Sequence, residues 1–301
     1  MFERAIIDKI RSSSKAIEKS GKLPSFVLDH IYKEKLFKLF IPKQAGGKML
    51  SLPDALHVFD EAGKIDGNLG WAITIGAGGG YFYAYMKTQT AHKVFKDRKA
   101  LIAGSGHPTA IAEEVKGGYK VTGQWKYASG ASYASAFTAN AMIKSKKKIL
   151  AFTFMSEQVS IIKDWSAFGM KATESHSFKV DEAFVPDDMS FDLTRKTPFV
   201  DAPIYQYPFL QFAETSFAAL VIGIGRHFIE VAKVILAQNQ KVWSIAESKR
   251  YKFVKAKLDS AEKMMEKTIN TFYATIDRSW KQVIRDNKLL ANLQDEVSKT
   301  S

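Results

Sequence analysis

The 301-residue sequence contains no cysteine. Disulfides, thiolate metal ligands and a cysteine nucleophile are therefore excluded. A bilayer-spanning run is missing as well. The longest nearly uninterrupted apolar stretch, residues 216–224, lies between Glu214 and Arg226 and falls well short of the ~20 residues a membrane helix needs. No export signal opens the chain: MFERAIIDKIRSSSKAIEKS carries charges inside its apolar stretch and has no small-residue cleavage pattern. It reads as an amphipathic helix, and the cytoplasm is the expected compartment. Internal repeats and low-complexity linkers are also absent. The six histidines show no close pairing of metal ligands, and His57 beside Asp60 and Glu61 reads as a solvated helix face. Acidic residues are the minority, 31 against 44 Lys and Arg, for a formal charge of +13. Basic proteins attract phosphates, but these lysines are dispersed. Their densest cluster, Lys144 to Lys148, sits between two apolar strands like a hairpin tip, and no nucleic-acid motif is present. The expectation is a solvated lysine-rich surface with no nucleic-acid and no membrane partner, and a charge suited to small anionic ligands.

What is present falls into three zones. Residues 1–97 read as helical by period and capping. Ile6, Ile7, Ile10 and Ile17 fall near one helical face. Ser51-Leu-Pro-Asp54 resembles a capping box that opens a helix carrying Ala55, Leu56, Val58 and Phe59. Asp66 reads as the cap of a helix containing Leu69, Trp71 and Ile73. Gly76-Ala-Gly-Gly-Gly80 weakens that helix or admits a close neighbour. Residues 98–200 read as strands, over Ala100–Gly104, Tyr119–Tyr127, Phe137–Ile143, Leu150–Phe154 and Ser177–Val180. Residues 201–301 return to helical spacing, through Phe212, Phe217, Leu220, Ile224, Phe228 and Val231, then through Val254, Leu258, Met264, Ile269, Phe272 and Ile276. Helices, strands and helices in that order give a segregated α+β fold. The apolar faces of the last helices, with no following helices to cover them, lead to the expectation of a homo-oligomer, a dimer or tetramer, or of poor solubility of the isolated chain.

The segment VKGGYKVTGQWKYASG, Val115 to Gly130, carries the strongest local signal. Gly117-Gly118 between two alternating runs reads as a two-residue hairpin turn. Tyr119, Val121, Trp125 and Tyr127 then share one face of the following strand. Ala128-Ser129-Gly130 is small enough to let a flat ligand approach the backbone. On spacing alone, this is also what an ordinary hairpin with an aromatic core face looks like.

This run resembles the central-domain signature of the acyl-CoA dehydrogenase superfamily, most of all its flavin-dependent monooxygenase branch. Other landmarks are similar: Leu39-Phe40-Ile41-Pro42 with Ala45-Gly46-Gly47, Asp66-Gly-Asn-Leu-Gly-Trp71, the loop Trp165 to Ser175, and the strand from Val180 through Val185-Pro186. The resemblance implies a helical N-terminal domain, a central β-barrel-like domain and an incomplete C-terminal helical bundle. It implies FAD or FMN as cofactor, a small organic or acyl substrate and a separate flavin reductase. It places Ile102, Gly104, Ser105, Thr109, Trp125, Tyr127, Ala128 and Ser129 at the flavin, and makes His107 and Ser129 the candidates for chemistry. Turn formation is the plainer role for Ser105, Thr109 and Ser129, and an exposed loop is the plainer setting for His107.

The chain also departs from the family. No residue aligns with the carboxylate that removes the α-proton of an acyl-CoA thioester; Glu214 and Glu230 are acids on the right helix by region only. The family's further helices have no counterpart before Ser301. Acyl-CoA dehydrogenation and a non-catalytic flavin- or ligand-binding relic therefore stand beside monooxygenation. Gly223-Ile-Gly225-Arg226 lacks a third glycine and follows no strand, so it reads as tight helix packing and not as a dinucleotide site.

Overall fold

Two side-chain caps fix the helices that carry the site. In the computed structural model of the chain, which describes residues 1–195, 197–246 and 248–301, the first helices are α1 (Arg4–Ser20), α2 (Ser25–Lys33), α3 (Leu52–Ile65), α4 (Gly67–Gly78) and α5 (Thr88–Phe95). Ser51 accepts a bond from the Asp54 N–H at 3.2 Å and opens α3. The Asp66 carboxylate accepts from the N–H groups of Asn68 and Leu69 at 2.9 and 3.1 Å and opens α4. Both satisfy helix-start donors that would otherwise lack partners.

Seven strands follow: β1 (Ile102–Val115), β2 (Gly118–Ala128), β3 (Ala136–Ile143), β4 (Lys148–Met155), β5 (Ser160–Ile162), β6 (His176–Pro186) and β7 (Ser190–Phe191). They form one sheet in the order β5-β6-β2-β1-β3-β4-β7. Every neighbouring pair is antiparallel except β1 and β3. Among the described residues β5 and β7 stand at the two edges of this sheet and do not pair with each other, so the barrel-like closure implied by the resemblance is not formed by these strands.

Three local details differ from the sequence reading. The hairpin turns at Lys116-Gly117 with Gly117 at φ +80°, and Gly118 already belongs to β2. A Cβ on Gly118 would lie 2.2 Å from the Val185 carbonyl oxygen, so close approach and not the turn demands glycine there. The segment from Ile102 to Ala110, expected as a strand end and a loop, lies wholly within β1. Its register against β3 slips between Ser105 and Ala110, and this bulge takes up Gly106 and Pro108. Along β2, Tyr119, Val121 and Trp125 are buried together, but Tyr127 leaves their face. The register against β6 slips between Trp125 and Ala128, and Tyr127, at φ +67°, is 69% exposed.

The chain closes with α6 (Pro203–Gln206), α7 (Phe209–Gln238), α8 (Gln240–Ala246), α9 (Ser248–Asp286) and α10 (Ala291–Thr300). α7 lies against α3 with the backbones nearly touching: a Cβ on Gly223 would sit 2.0 Å from the Asp60 carbonyl oxygen. Among the described residues, no helix is long and apolar enough to cross a membrane.

Candidate functional site

A cavity of about 350 Å³ lies where α4 and α7 face the sheet. Helical periodicity explains its helix walls. Thr74, Ile75 and Gly78 come from one face of α4, and Phe209, Phe212, Ala213, Ser216 and Phe217 recur at helical spacing on α7. The strand wall is Ile102, Gly104 and Ser105 of β1 with Thr138 and Asn140 of β3. No lining side chain among the described residues titrates, so the lining is apolar and aromatic with a few neutral hydroxyl and amide groups.

Two of those polar groups are spoken for. Ser216 donates to the Phe212 carbonyl at 2.7 Å, and the Asn140 amide donates to the Gly106 carbonyl at 2.8 Å. Behind the aromatic wall, Tyr81 donates to the Tyr207 carbonyl at 2.7 Å and Tyr205 to the Phe40 carbonyl at 2.6 Å. Burial pushes both phenols up. They stay neutral donors that brace α6 and the start of α7.

One shell away from the cavity, a hydrogen-bond chain ends in Ser129. The Trp71 indole N–H donates to Ser129 Oγ at 2.8 Å. Ser129 and Ser175 hydroxyls are 2.8 Å apart, as are those of Ser175 and Thr173. Thr173 donates its one hydroxyl proton to the Met170 carbonyl at 2.9 Å. That fixes the direction of the rest: Ser175 donates to Thr173, and Ser129 donates to Ser175. The Ser129 proton is thus committed inside the protein, and the side chain, in a residue 6% exposed, pins the Trp71 ring. Trp71 in turn stacks on Phe217 at 5.6 Å, which lines the cavity. Replacing Ser129 by alanine leaves the indole N–H and the Ser175 oxygen each short of a partner. Urea unfolding should show a loss of about 1–3 kcal/mol. A wild-type midpoint would mean the chain of hydroxyls holds nothing.

The expected site residues separate into groups. Ile102, Gly104 and Ser105 line the cavity. Ser129 lies next to it through Trp71, and Ala128 is fully buried beside Ser129. Tyr127 projects outward, edge-on to Trp165 at 6.4 Å. Trp125 lies in the sheet core, 1% exposed, stacked on Phe178 at 5.1 Å and donating to the Asn140 carbonyl at 3.0 Å. Thr109 donates to the Gln124 carbonyl at 2.7 Å and borders a separate groove with Lys120 and Glu182. His107 is exposed within the β1 bulge. Glu214 accepts from Ser298 at 2.6 Å, and Glu230 pairs with Lys64 at 2.8 Å and Arg11 at 3.1 Å; neither lines the cavity. Sequence reasoning singled out neither Thr74 nor the roles of Trp71 and Ser175, although the motifs Asp66–Trp71 and Trp165–Ser175 contain the last two.

Two features suit a planar, partly apolar cofactor. A Cβ added at Gly106, at the cavity, would meet nothing within 4 Å. Trp71 and Phe217 offer an aromatic stack at its edge.

No family model matches the sequence. The chain is 24% identical over 286 residues to an indole-3-acetate monooxygenase of Pseudomonas putida, covering 93% of this chain and 73% of that protein. It is 26% identical over 239 residues to the flavin-dependent monooxygenase oxygenase subunit HsaA of Rhodococcus jostii, covering 73% of this chain and 61% of that one. The crystal structure of 3-HSA hydroxylase from Rhodococcus sp. RHA1 superposes with a TM-score of 0.90 at 19% identity, over 98% of this chain and 79% of that one. The chain therefore has the fold of that hydroxylase, and its sequence relatives are monooxygenases.

Proposed function

We propose that the chain is a flavin-dependent oxidoreductase, the oxygenase component of a two-component monooxygenase that acts on a small, largely aromatic substrate. The observation that carries this reading is the 350 Å³ aromatic-walled cavity lying beside the Trp71–Ser129 edge. Its size and lining suit a small ring-containing molecule, and the sequence relatives named above are monooxygenases. FAD or FMN would rest against Trp71, Phe217 and the Ser105-Gly106 backbone, with Tyr127 and Trp165 at the outer edge. Bound reduced flavin supplies the two electrons that activate dioxygen. The chain's own contribution is to stack and orient the rings and to keep water out of an apolar pocket. Among the described residues no carboxylate lines the cavity. The preference for monooxygenation over acyl-CoA dehydrogenation rests on the sequence relatives, which are monooxygenases.

The test is reconstitution with a flavin reductase, reduced nicotinamide and ¹⁸O₂. Flavin binding by fluorescence quenching, together with one labelled oxygen in a small aromatic product, is the expected result. A folded chain that binds neither FAD nor FMN would overturn the reading.

The same proposal includes assembly into a homo-oligomer. Leu210, Phe217, Val221 and Phe228 leave an apolar stripe along α7, with Phe228 69% exposed. Monomeric soluble proteins rarely keep such a stripe in water. Light scattering of the purified chain should give a mass of at least two copies, and a well-behaved monomer would contradict it.

A further inference from the structure

The strand wall of the cavity carries polar atoms that the protein leaves free. Side chains of β3 alternate between two faces. Phe137, 1% exposed, goes to the sheet core, 4.9 Å from Phe178. Thr138 and Asn140 therefore share the opposite face, toward α4 and α7, and both line the cavity. The ladder agrees with this sorting. Gly104 of β1 lies opposite Thr138, Ala151 of β4 lies opposite Asn140, and both also line the cavity. Ser105 lies opposite Ala139, in the alternate set, at the last pair before the register slips.

Thr138 is 6% exposed, yet its hydroxyl opens on the cavity. A Cβ on Gly104 would lie 2.5 Å from Thr138 Oγ1, so the hydroxyl stands over the glycine at the cavity wall. Among the described residues it has no hydrogen-bond partner. It is nevertheless not one of the sealed hydroxyls, which are Thr74 on α4 and its own ladder neighbour Thr153 on β4. Asn140 offers the complementary group. Its amide N–H donates to the Gly106 carbonyl at 2.8 Å. That bond fixes which end of the amide is nitrogen, and leaves Oδ1 as an acceptor with no protein donor among the described residues.

Residues two apart on one strand face are about 6.6 Å apart. One ligand oxygen at about 2.8 Å from a polar atom of each side chain can bridge that gap. A hydroxyl on a ring satisfies both ends: its lone pair accepts from Thr138, and its proton goes to Asn140 Oδ1. A methyl group in the same place buries similar area but leaves both polar atoms unmet. Sites built to bond a hydroxyl reject analogues that lack it for this reason.

We propose that Thr138 and Asn140 are specificity-determining residues that together recognise one hydroxyl on an aromatic ring held in the cavity. The inference rests on the reading of this cavity as the substrate site. It adds the substituent that the ring carries and the two residues that read it.

The experiment compares phenol with toluene, its apolar counterpart in shape, by isothermal titration calorimetry on the full chain, with flavin present and without it. Thr138→Val keeps the side-chain shape and removes the hydroxyl. It should lower the phenol-over-toluene affinity ratio about tenfold, the equivalent of one neutral hydrogen bond. Thr138→Ser should hold the ratio near wild type. Asn140→Leu should lower the ratio by a similar factor. Anisole separates the two residues, because its oxygen accepts but cannot donate. Its affinity should fall with Thr138→Val and not with Asn140→Leu. Thermal unfolding checks each fold. Thr138→Val loses no internal bond, so it should melt as wild type and decides the matter even where Asn140→Leu is unstable.

An unchanged ratio in a folded Thr138→Val variant would overturn the proposal. So would a failure of phenol to bind up to its solubility limit. A shifted ratio in a chain that shows no flavin-coupled oxygen uptake would overturn only the redox reading. Oxygen uptake with an unshifted ratio would overturn only the role of Thr138 and Asn140.

Discussion

Gly223→Val is expected to force α3 and α7 apart, destabilising the chain by on the order of 3 kcal/mol, the upper range for overpacking. An added Cβ there would lie 2.0 Å from the Asp60 carbonyl oxygen and 2.8 Å from the Lys64 nitrogen. Both are backbone atoms, so no rotamer change relieves the clash. The contact is reciprocal: a Cβ on Gly63 of α3 would meet the Leu220 carbonyl oxygen at 2.6 Å. Two helices that touch through their backbones cannot accept a side chain on either surface. In a chain of this size, the loss should appear as a fall in melting temperature of roughly 5 °C. Gly225→Ala is the internal control. Its nearest neighbour is the flexible end of Met265, at 2.9 Å, so the side chain can move aside and the change should be small. Equal melting temperatures for the two variants would show that Gly223 does not set the helix spacing.

That contact illustrates how far the sequence was readable. The two glycines of the Gly223-Ile-Gly225 motif suggested close helix packing, but nothing local says which helix arrives. Features decided within a few residues were legible. Ser51 and Asp66 cap helices because their side chains reach the next turn, and residues 144–147 form a hairpin turn because two apolar strands flank them. Features decided by a distant partner were not. Tyr127 should follow the alternation of Tyr119, Val121 and Trp125, yet the slip against β6 turns it outward. Gly104 to Pro108 has the composition of a loop, but pairing with β3 draws it into a bulged strand, an instance of tertiary context overriding propensity. Ser129 looked like a free hydroxyl near a ligand. Its partner Trp71 is 58 residues away and Ser175 is 46 away, so its committed proton was invisible.

Gly78→Leu is expected to disable the cavity while sparing the fold. Gly78 ends α4 at the cavity wall, and a Cβ there would meet no atom within 4 Å. The new side chain therefore enters open space. Relative to glycine it also restricts the unfolded chain and favours the helix, so stability should hold or rise slightly. The space it occupies is space the substrate needs. Displacing two or three methylene equivalents of ring contact costs about 2 kcal/mol, roughly thirtyfold in affinity. The expected result is a melting temperature at or above wild type, with weakened binding of small aromatic ligands by calorimetry and flavin binding retained. Retained flavin binding would separate the substrate pocket from the cofactor edge at Trp71 and Ser129. Loss of both together would mean that one volume serves ring and cofactor. Undiminished aromatic binding in a folded Gly78→Leu variant would place the substrate somewhere other than between α4, α7 and the sheet.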